Sequence, residues 1–191
     1  MKIVILISSF ITGTAYMDTI SIITLPPSRW SEYKALRLQA LENDPAAFAT
    51  TYQEDAAMPD LQWQDRLQNS EGQKSYMLFA QCEGKVIGMV GALLEQGACV
   101  EHKATIVSVY VQPEYRGQGI AKTLMQAIMQ LLQANKKIVH VQLTVNSDNA
   151  SAIKLYESVG FKKVGLLEKL VKVGDDFIDG YMMVNILDKG K

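Results

Sequence analysis

The chain is short of the residues that staple a fold or hold a metal. Its 191 residues include two cysteines, Cys82 and Cys99, and two histidines, His102 and His140. The two thiols read as reduced cytosolic cysteines rather than a bridge, and with the two histidines they make no convincing metal cluster. An excess of one charge is also missing. Nineteen basic residues face twenty acidic ones, for a net charge of −1 and a pI near 6.1, which argues against a nucleic-acid face built on bulk charge. Long hydrophobic runs are scarce too. The stretch "IVILISSFITGTAY" stays uncharged between Lys2 and Asp18, too short to span a bilayer comfortably, so no stable membrane insertion is expected. Gly13 and Ala15 give it some likeness to a signal peptide. The reading preferred is an N-terminal extension, residues 1–16, ahead of a single domain over 17–191.

What is present is ordinary for a globular protein: 48% hydrophobic and 20% charged residues. At about 100–200 residues per domain the length favours one compact unit. Such a unit buries well over half of its unfolded surface without a disulfide or metal. No repeat or low-complexity tract interrupts it.

The periodicity gives an ordered set of elements. "TISIITL" (19–25) is β-branched and stops at Pro26-Pro27, as a strand does. Tyr33, Leu36, Ala40 and Leu41 fall on one helical face over 30–42. "NDP" at 43–45 ends that helix, and a less regular, helical stretch is expected to about Asn69. "SYMLFAQCEGKVIGMVGALLE" predicts a hairpin bent at Glu83-Gly84. "ATIVSVYV" (104–111) is a strand ended by Pro113, and Ile120, Leu124, Ile128 and Leu131 predict a helix over 119–134. "KIVHVQLTV" alternates, with Val139, Val141, Leu143 and Val145 on one face and His140 on the other, where it reads as an ordinary surface or second-layer residue. A short helix follows from Asn149 to a Gly160 cap. Two strands joined by an Asp-rich bend close the chain. The order is that of an α/β domain with a mixed sheet, antiparallel at its start and with a βαβ crossover in its middle.

The turn "PEYRGQGIAKTLM" (113–125) carries the chemistry. It joins a strand to a helix whose first N–H groups point outward with partial positive charge. Gly117 and Gly119 leave those amides open, and Arg116 and Lys122 add charge. An anion of phosphate type suits the place. A P-loop fails, because Arg116 and Ala121 stand where it needs glycine. A dinucleotide fingerprint fails at Lys122 and at the position of the preceding strand.

The remaining pattern, R-x-x-G-x-A at Arg116, Gly119 and Ala121, resembles the acyl-CoA loop of the GNAT N-acetyltransferase superfamily. "LTVNSDNASAIKLYESVGFKKVG", about thirty residues on, is similar to that superfamily's second acyl-CoA segment through Asn149, Ala152, Leu155, Tyr156, Gly160 and Phe161. The likeness covers roughly residues 18–188. It implies a single GNAT-like domain, α/β in the broad sense (α+β), with six to seven strands flanked by helices. It implies acetyl-CoA as cosubstrate, with pyrophosphate on the amides of Arg116, Gly117, Gln118, Gly119, Ile120, Ala121 and Lys122. It places pantetheine along the backbone of Val109, Tyr110 and Val111, where the strand splays from its neighbour at a bulge. Asn149 caps its helix and is implied to touch the coenzyme. Tyr156, whose place in the apolar stripe also suits simple packing, is implied to be the general acid for the leaving thiol. The Val111 N–H is implied to stabilise the oxyanion.

The implied activity is direct acetyl transfer to an amine acceptor, a small molecule or a protein. The cytoplasm is the expected location and a homodimer remains open. A non-catalytic acyl-CoA-binding module is the alternative, and a nucleotide-binding protein a weaker third. For the base, Thr105 and Ser108 are the strand's only polar side chains, while Glu54, Asp55 and Glu101 are candidate carboxylates beside a water chain. Acidic residues in 26–70 and 166–180, where the acceptor site is expected, hint at a cationic acceptor.

Overall fold

A computed structural model describes residues 20–68 and 74–189. The proposed extension, residues 1–16, lies outside the described residues, as do Thr19 and the end of the stretch expected to run to Asn69. Seven strands form one sheet in the order β1-β2-β3-β4-β5-β7-β6, with β1 Ile20–Ile23, β2 Ser75–Cys82, β3 Lys85–Leu94, β4 Lys103–Val111, β5 His140–Asn146, β6 Lys162–Val173 and β7 Asp176–Ile186. Helices α1 (Trp30–Asn43), α2 (Tyr52–Ala56) and α3 (Asp60–Arg66) separate β1 from β2. Helix α4 (Ile120–Ala134) joins β4 to β5, and α5 (Ala150–Ser158) joins β5 to β6. All strand pairs are antiparallel except β4–β5, as expected where a helix makes the crossover.

Both faces of the sheet are covered, so its inner strands are apolar on both sides. Along β2, Leu78, Ala80 and Cys82 join the cluster formed with α4, while Met77 and Phe79 join the one formed with α1 and Trp63 of α3. The α1 stripe behaves as its spacing demands: Tyr33, Leu36, Ala40 and Leu41 are all buried. So is Arg37, one position out of that apolar set. The β2–β3 bend puts Glu83 at φ 47° and Gly84 at φ 84°, the paired left-handed geometry that suits a two-residue hairpin. His140 begins β5 half-buried and its Nε2 is enclosed without a hydrogen-bond partner among the described residues.

Along β4 the alternation fails beside the site. Ala104 and Ile106 face α4, and strict alternation would keep even-numbered residues there. Beyond Ser108 it is Val111 that joins the α4 cluster, while Tyr110 joins the α1 cluster. The register with β3 shifts over the same stretch, from Gly91↔Val107 to Met89↔Tyr110. One extra residue is accommodated there, and Ser108 takes a left-handed φ of 57°. This is a β-bulge, and it bends the strand away from its neighbour.

Candidate active site

The consequence of the bulge is a split sheet. Strands β4 and β5 pair only at Lys103↔His140, Ala104↔Val141 and Thr105↔Gln142. Past Thr105 they diverge, and a cleft of about 1330 Å³ opens between them. Ile106 to Val111 form one wall and Leu143 to Asn146 the other. Asn146 Nδ2 ties the far wall to the Ala46 carbonyl at 2.9 Å, in the Pro45–Ala47 turn after α1.

The end of β4 offers a backbone donor to the cleft. Gly88 stands opposite Val111, and the Gln112 N–H donates to the Ile87 carbonyl at 2.9 Å. That makes Gly88–Val111 a non-hydrogen-bonded pair of the antiparallel ladder, so the Val111 peptide groups turn away from β3 and towards the gap. The Val111 carbonyl accepts from Arg116 Nε at 2.9 Å. Arg116 also pairs through Nη2 with Asp44 at the end of α1, at 2.5 Å, and lies over the Tyr110 ring. Arg116 is therefore a clasp between β4, α1 and the glycine turn as well as a source of positive charge. Val111 and Tyr110 side chains are themselves buried in the two cores.

The glycine turn follows. Gly117 has φ 77° and Gly119 φ 80°, and a Cβ built on either meets nothing within 4 Å. Glycine is required by the left-handed backbone and leaves clear space over the amides. Gly119 is the N-cap of α4, and Thr123 N–H returns to its carbonyl at 3.1 Å. The N–H groups of the first turn ahead of Thr123 have no intrahelical acceptor. An anion placed there meets donors and the positive end of a helix. Of the residues expected around this site, Val109, Tyr110, Val111, Arg116, Gly117, Gly119, Ile120, Ala121, Lys122, Asn149 and Tyr156 line the cleft. Gln118 does not: it is exposed at the crest of the turn, between the two left-handed glycines.

Across the cleft, α5 contributes two of the expected side chains. Asn149 caps the helix, its Oδ1 accepting from Ala152 N–H at 3.0 Å and from Ser151 Oγ at 2.9 Å. Tyr156 is 8% exposed, with its ring edge-on to Phe161 at 6.2 Å. Burial pushes its phenol up to about 12, because the phenolate would lose its hydration. The hydroxyl is thus kept protonated in a residue that helps to line the cleft.

The candidate carboxylates are otherwise engaged. Glu54 closes a capping box with Thr51, whose backbone N–H, donating to the carboxylate, holds the Glu54 carboxyl below its usual value. Glu101 pairs with Lys137 at 2.9 Å and is not among the lining residues. Asp55 is 1% exposed and accepts from Arg37 Nε at 2.7 Å. Asp179 accepts from the Lys169 N–H at 2.8 Å. Among the described residues the only carboxylate lining the cleft is Asp44, already paired with Arg116, whereas Arg37, Arg66, Arg116, Lys122 and Lys172 all line it. The sequence hint of an acidic acceptor site therefore does not survive the fold.

Residues 36–161 match the family described as Acetyltransferase (GNAT) family. The chain belongs to that family. An L-amino acid N-acetyltransferase of Escherichia coli is 28% identical over 155 residues, spanning 81% of this chain and 92% of the relative. A GNAT-family acetyltransferase from Streptococcus pneumoniae superposes with a TM-score of 0.79 at 24% identity, covering 88% of this chain and 99% of its own. A putative acetyltransferase from Salmonella typhimurium, solved with its cofactor acetyl-CoA, gives 0.76 at 17% identity, covering 90% and 96%. The GNAT chain is thus an acetyl-CoA-dependent N-acetyltransferase with the fold its element order implied.

Two features of this GNAT site were legible in the sequence only as segments, 26–70 and 166–180, and not as residues. Arg37 lines the cleft although it lies on the buried stripe of α1, and the clue available was a cation at the i+4 position from Tyr33 within an apolar set. Leu170 and Val171 reach the cleft from β6, through an irregularity between Leu167 and Val171 that periodicity does not reveal.

Proposed function

We propose that this GNAT enzyme acetylates an amine that also carries a carboxylate, a free amino acid being the simplest case. The observation that carries the acceptor class is the charge of the cleft. Its coenzyme end accounts for Arg116 and Lys122, and Arg37 is matched by Asp55. Arg66, which lies over the Trp63 ring, and Lys172 also line the cleft, and among the described residues no lining carboxylate pairs with either. An acceptor bearing an anion is favoured there and a polyamine is repelled. The E. coli relative acting on L-amino acids supports the same reading.

In this reading the pyrophosphate rests on the amides of Gly117 and of Gly119 to Lys122, and the pantetheine amides pair along Val109–Val111 in the gap, as an added strand would. Asn149 presents its side-chain amide on the facing wall. The Val111 N–H receives the charge that develops on the thioester oxygen as the neutral amine forms its C–N bond. Tyr156 gives its proton to sulfur as the C–S bond breaks. The ammonium proton leaves to water, since among the described residues no lining carboxylate is free to take it, and water returns a proton to the Tyr156 phenolate. A protonated, buried Tyr156 favours this over a binding module without turnover.

Free-thiol release from acetyl-CoA with matched acceptors tests the acceptor class. Free L-amino acids should exceed their amides and decarboxylated amines by at least about tenfold in kcat/KM, the minimum expected from one charge-assisted contact. Equal turnover of phenethylamine and phenylalanine would remove the carboxylate from the reading.

A further inference from the structure

The bulge that opens the cleft rests on an unfavourable residue. Ser108 has φ 57°, a conformation that costs a side-chain-bearing residue about 1–2 kcal/mol relative to right-handed backbone, and such a residue persists only when its surroundings hold it there. Its hydroxyl accepts from Arg37 Nη1 at 3.2 Å. The same guanidinium donates from Nη2 to Thr50 Oγ1 at 2.9 Å and from Nε to Asp55 Oδ2 at 2.7 Å, and it stacks 4.3 Å from the Phe48 ring. All three nitrogens are committed, one on each of three segments: the loop at Thr50, α2 and β4. Lys169, another left-handed residue without glycine's freedom, is likewise held, by Asp179 Oδ1 on its N–H.

We propose that Arg37 is a positioning residue that pins Ser108 in its left-handed turn and so holds the acetyl-CoA slot between β4 and β5 open. The inference rests on reading that slot as the pantetheine groove. An arginine suits the task because its planar fork satisfies three partners at fixed angles. Asp55 suits it because a buried guanidinium needs a matching charge. The carboxylate that looked like a candidate base is therefore a support for Arg37. Without the tether, a serine or alanine at 108 relaxes towards extended backbone, the extra residue is lost from the bulge, and β4 closes on β5.

Removing Arg37 outright would strand Asp55 and risk unfolding the protein, so the test is made at Ser108. Coenzyme A binding is measured by calorimetry on the full chain for wild type, Ser108→Ala and Ser108→Gly, with melting curves and steady-state kinetics on all three. Ser108→Ala loses the tether and keeps the strain. Its coenzyme A dissociation constant should rise about tenfold, the loss of one hydrogen bond from a charged donor, with KM for acetyl-CoA rising alike and kcat at saturation little changed. Ser108→Gly loses the tether but also the strain, and should return to within about threefold of wild type. A merely structural serine would lower the melting temperature without separating the two variants in affinity. An alanine variant that binds like wild type overturns the inference, as does a glycine variant as weak as the alanine one. A wild-type protein that binds no coenzyme A overturns the groove reading itself, and the inference with it.

Discussion

Replacing Tyr156 by phenylalanine removes one oxygen atom and asks whether that oxygen does chemistry. The ring is 8% exposed and packs edge-on against Phe161, contacts that phenylalanine keeps. Burial raises the phenol to about 12, and phenylalanine keeps the buried ring, so folding stability should change by less than about 1 kcal/mol. Acetyl-CoA binding should be equally unaffected, because the proton moves only in the transition state. The rate is another matter. A positioned general acid contributes roughly 10²–10⁴, which is about 3–5 kcal/mol of barrier. A thiolate leaves tolerably well unaided, so the lower end is expected: a fall of about a hundredfold in kcat with KM nearly constant. The assay is steady-state thiol release on the best acceptor, with melting curves run on the same preparations. A phenylalanine variant with wild-type kcat would return Tyr156 to the core and leave the enzyme with no acid.

Gly119→Asp should still fold, at a cost of about 1–2 kcal/mol for a side chain on left-handed backbone, because a Cβ there meets nothing within 4 Å, yet its carboxylate would occupy the place of a phosphate. Wild type should gain about 2.7 kcal/mol from acetyl-CoA at a hundred times its dissociation constant, seen as a rise in melting temperature, and the mutant should gain nothing; a full shift in the mutant would clear the glycine turn of any role. The pH profile follows from the raised Tyr156 phenol. Its folded value exceeds the unfolded one near 10, so its stabilising effect is complete below about pH 10 and is lost between about 10 and 12, up to roughly 3 kcal/mol. Turnover should climb with acceptor deprotonation and show no falling limb below about pH 10; a limb centred near pH 8 would contradict the assignment. If the domain starts at Met17, a chain lacking residues 1–16 should be soluble and bind acetyl-CoA as the full chain does, and insoluble protein would show that the extension belongs to the fold.

The sequence by itself determined the element order, the two βα junctions and most of the groups lining them. These are local matters: two glycines at 117 and 119, an asparagine at a helix start, and apolar residues at helical or alternating spacing are read within a few neighbours. The register of β4 was not open to that kind of reading. Apart from Ser108, "TIVSVYV" is β-branched or aromatic on both faces, so its pattern does not reveal an extra residue, and only pairing with β3 shows that one is accommodated at Ser108. Charges misled for the same reason. Asp55 and Glu54 looked available because a sequence shows their number and not their partners, whereas the fold sets Arg37 on one and Thr51 on the other. Arg116 looked like a phosphate ligand and proves also to clasp Val111 and Asp44. Where a side chain's role depends on what lies 18 or 72 positions away, as it does for Arg37 with Asp55 and for Arg116 with Asp44, only the tertiary structure decides it.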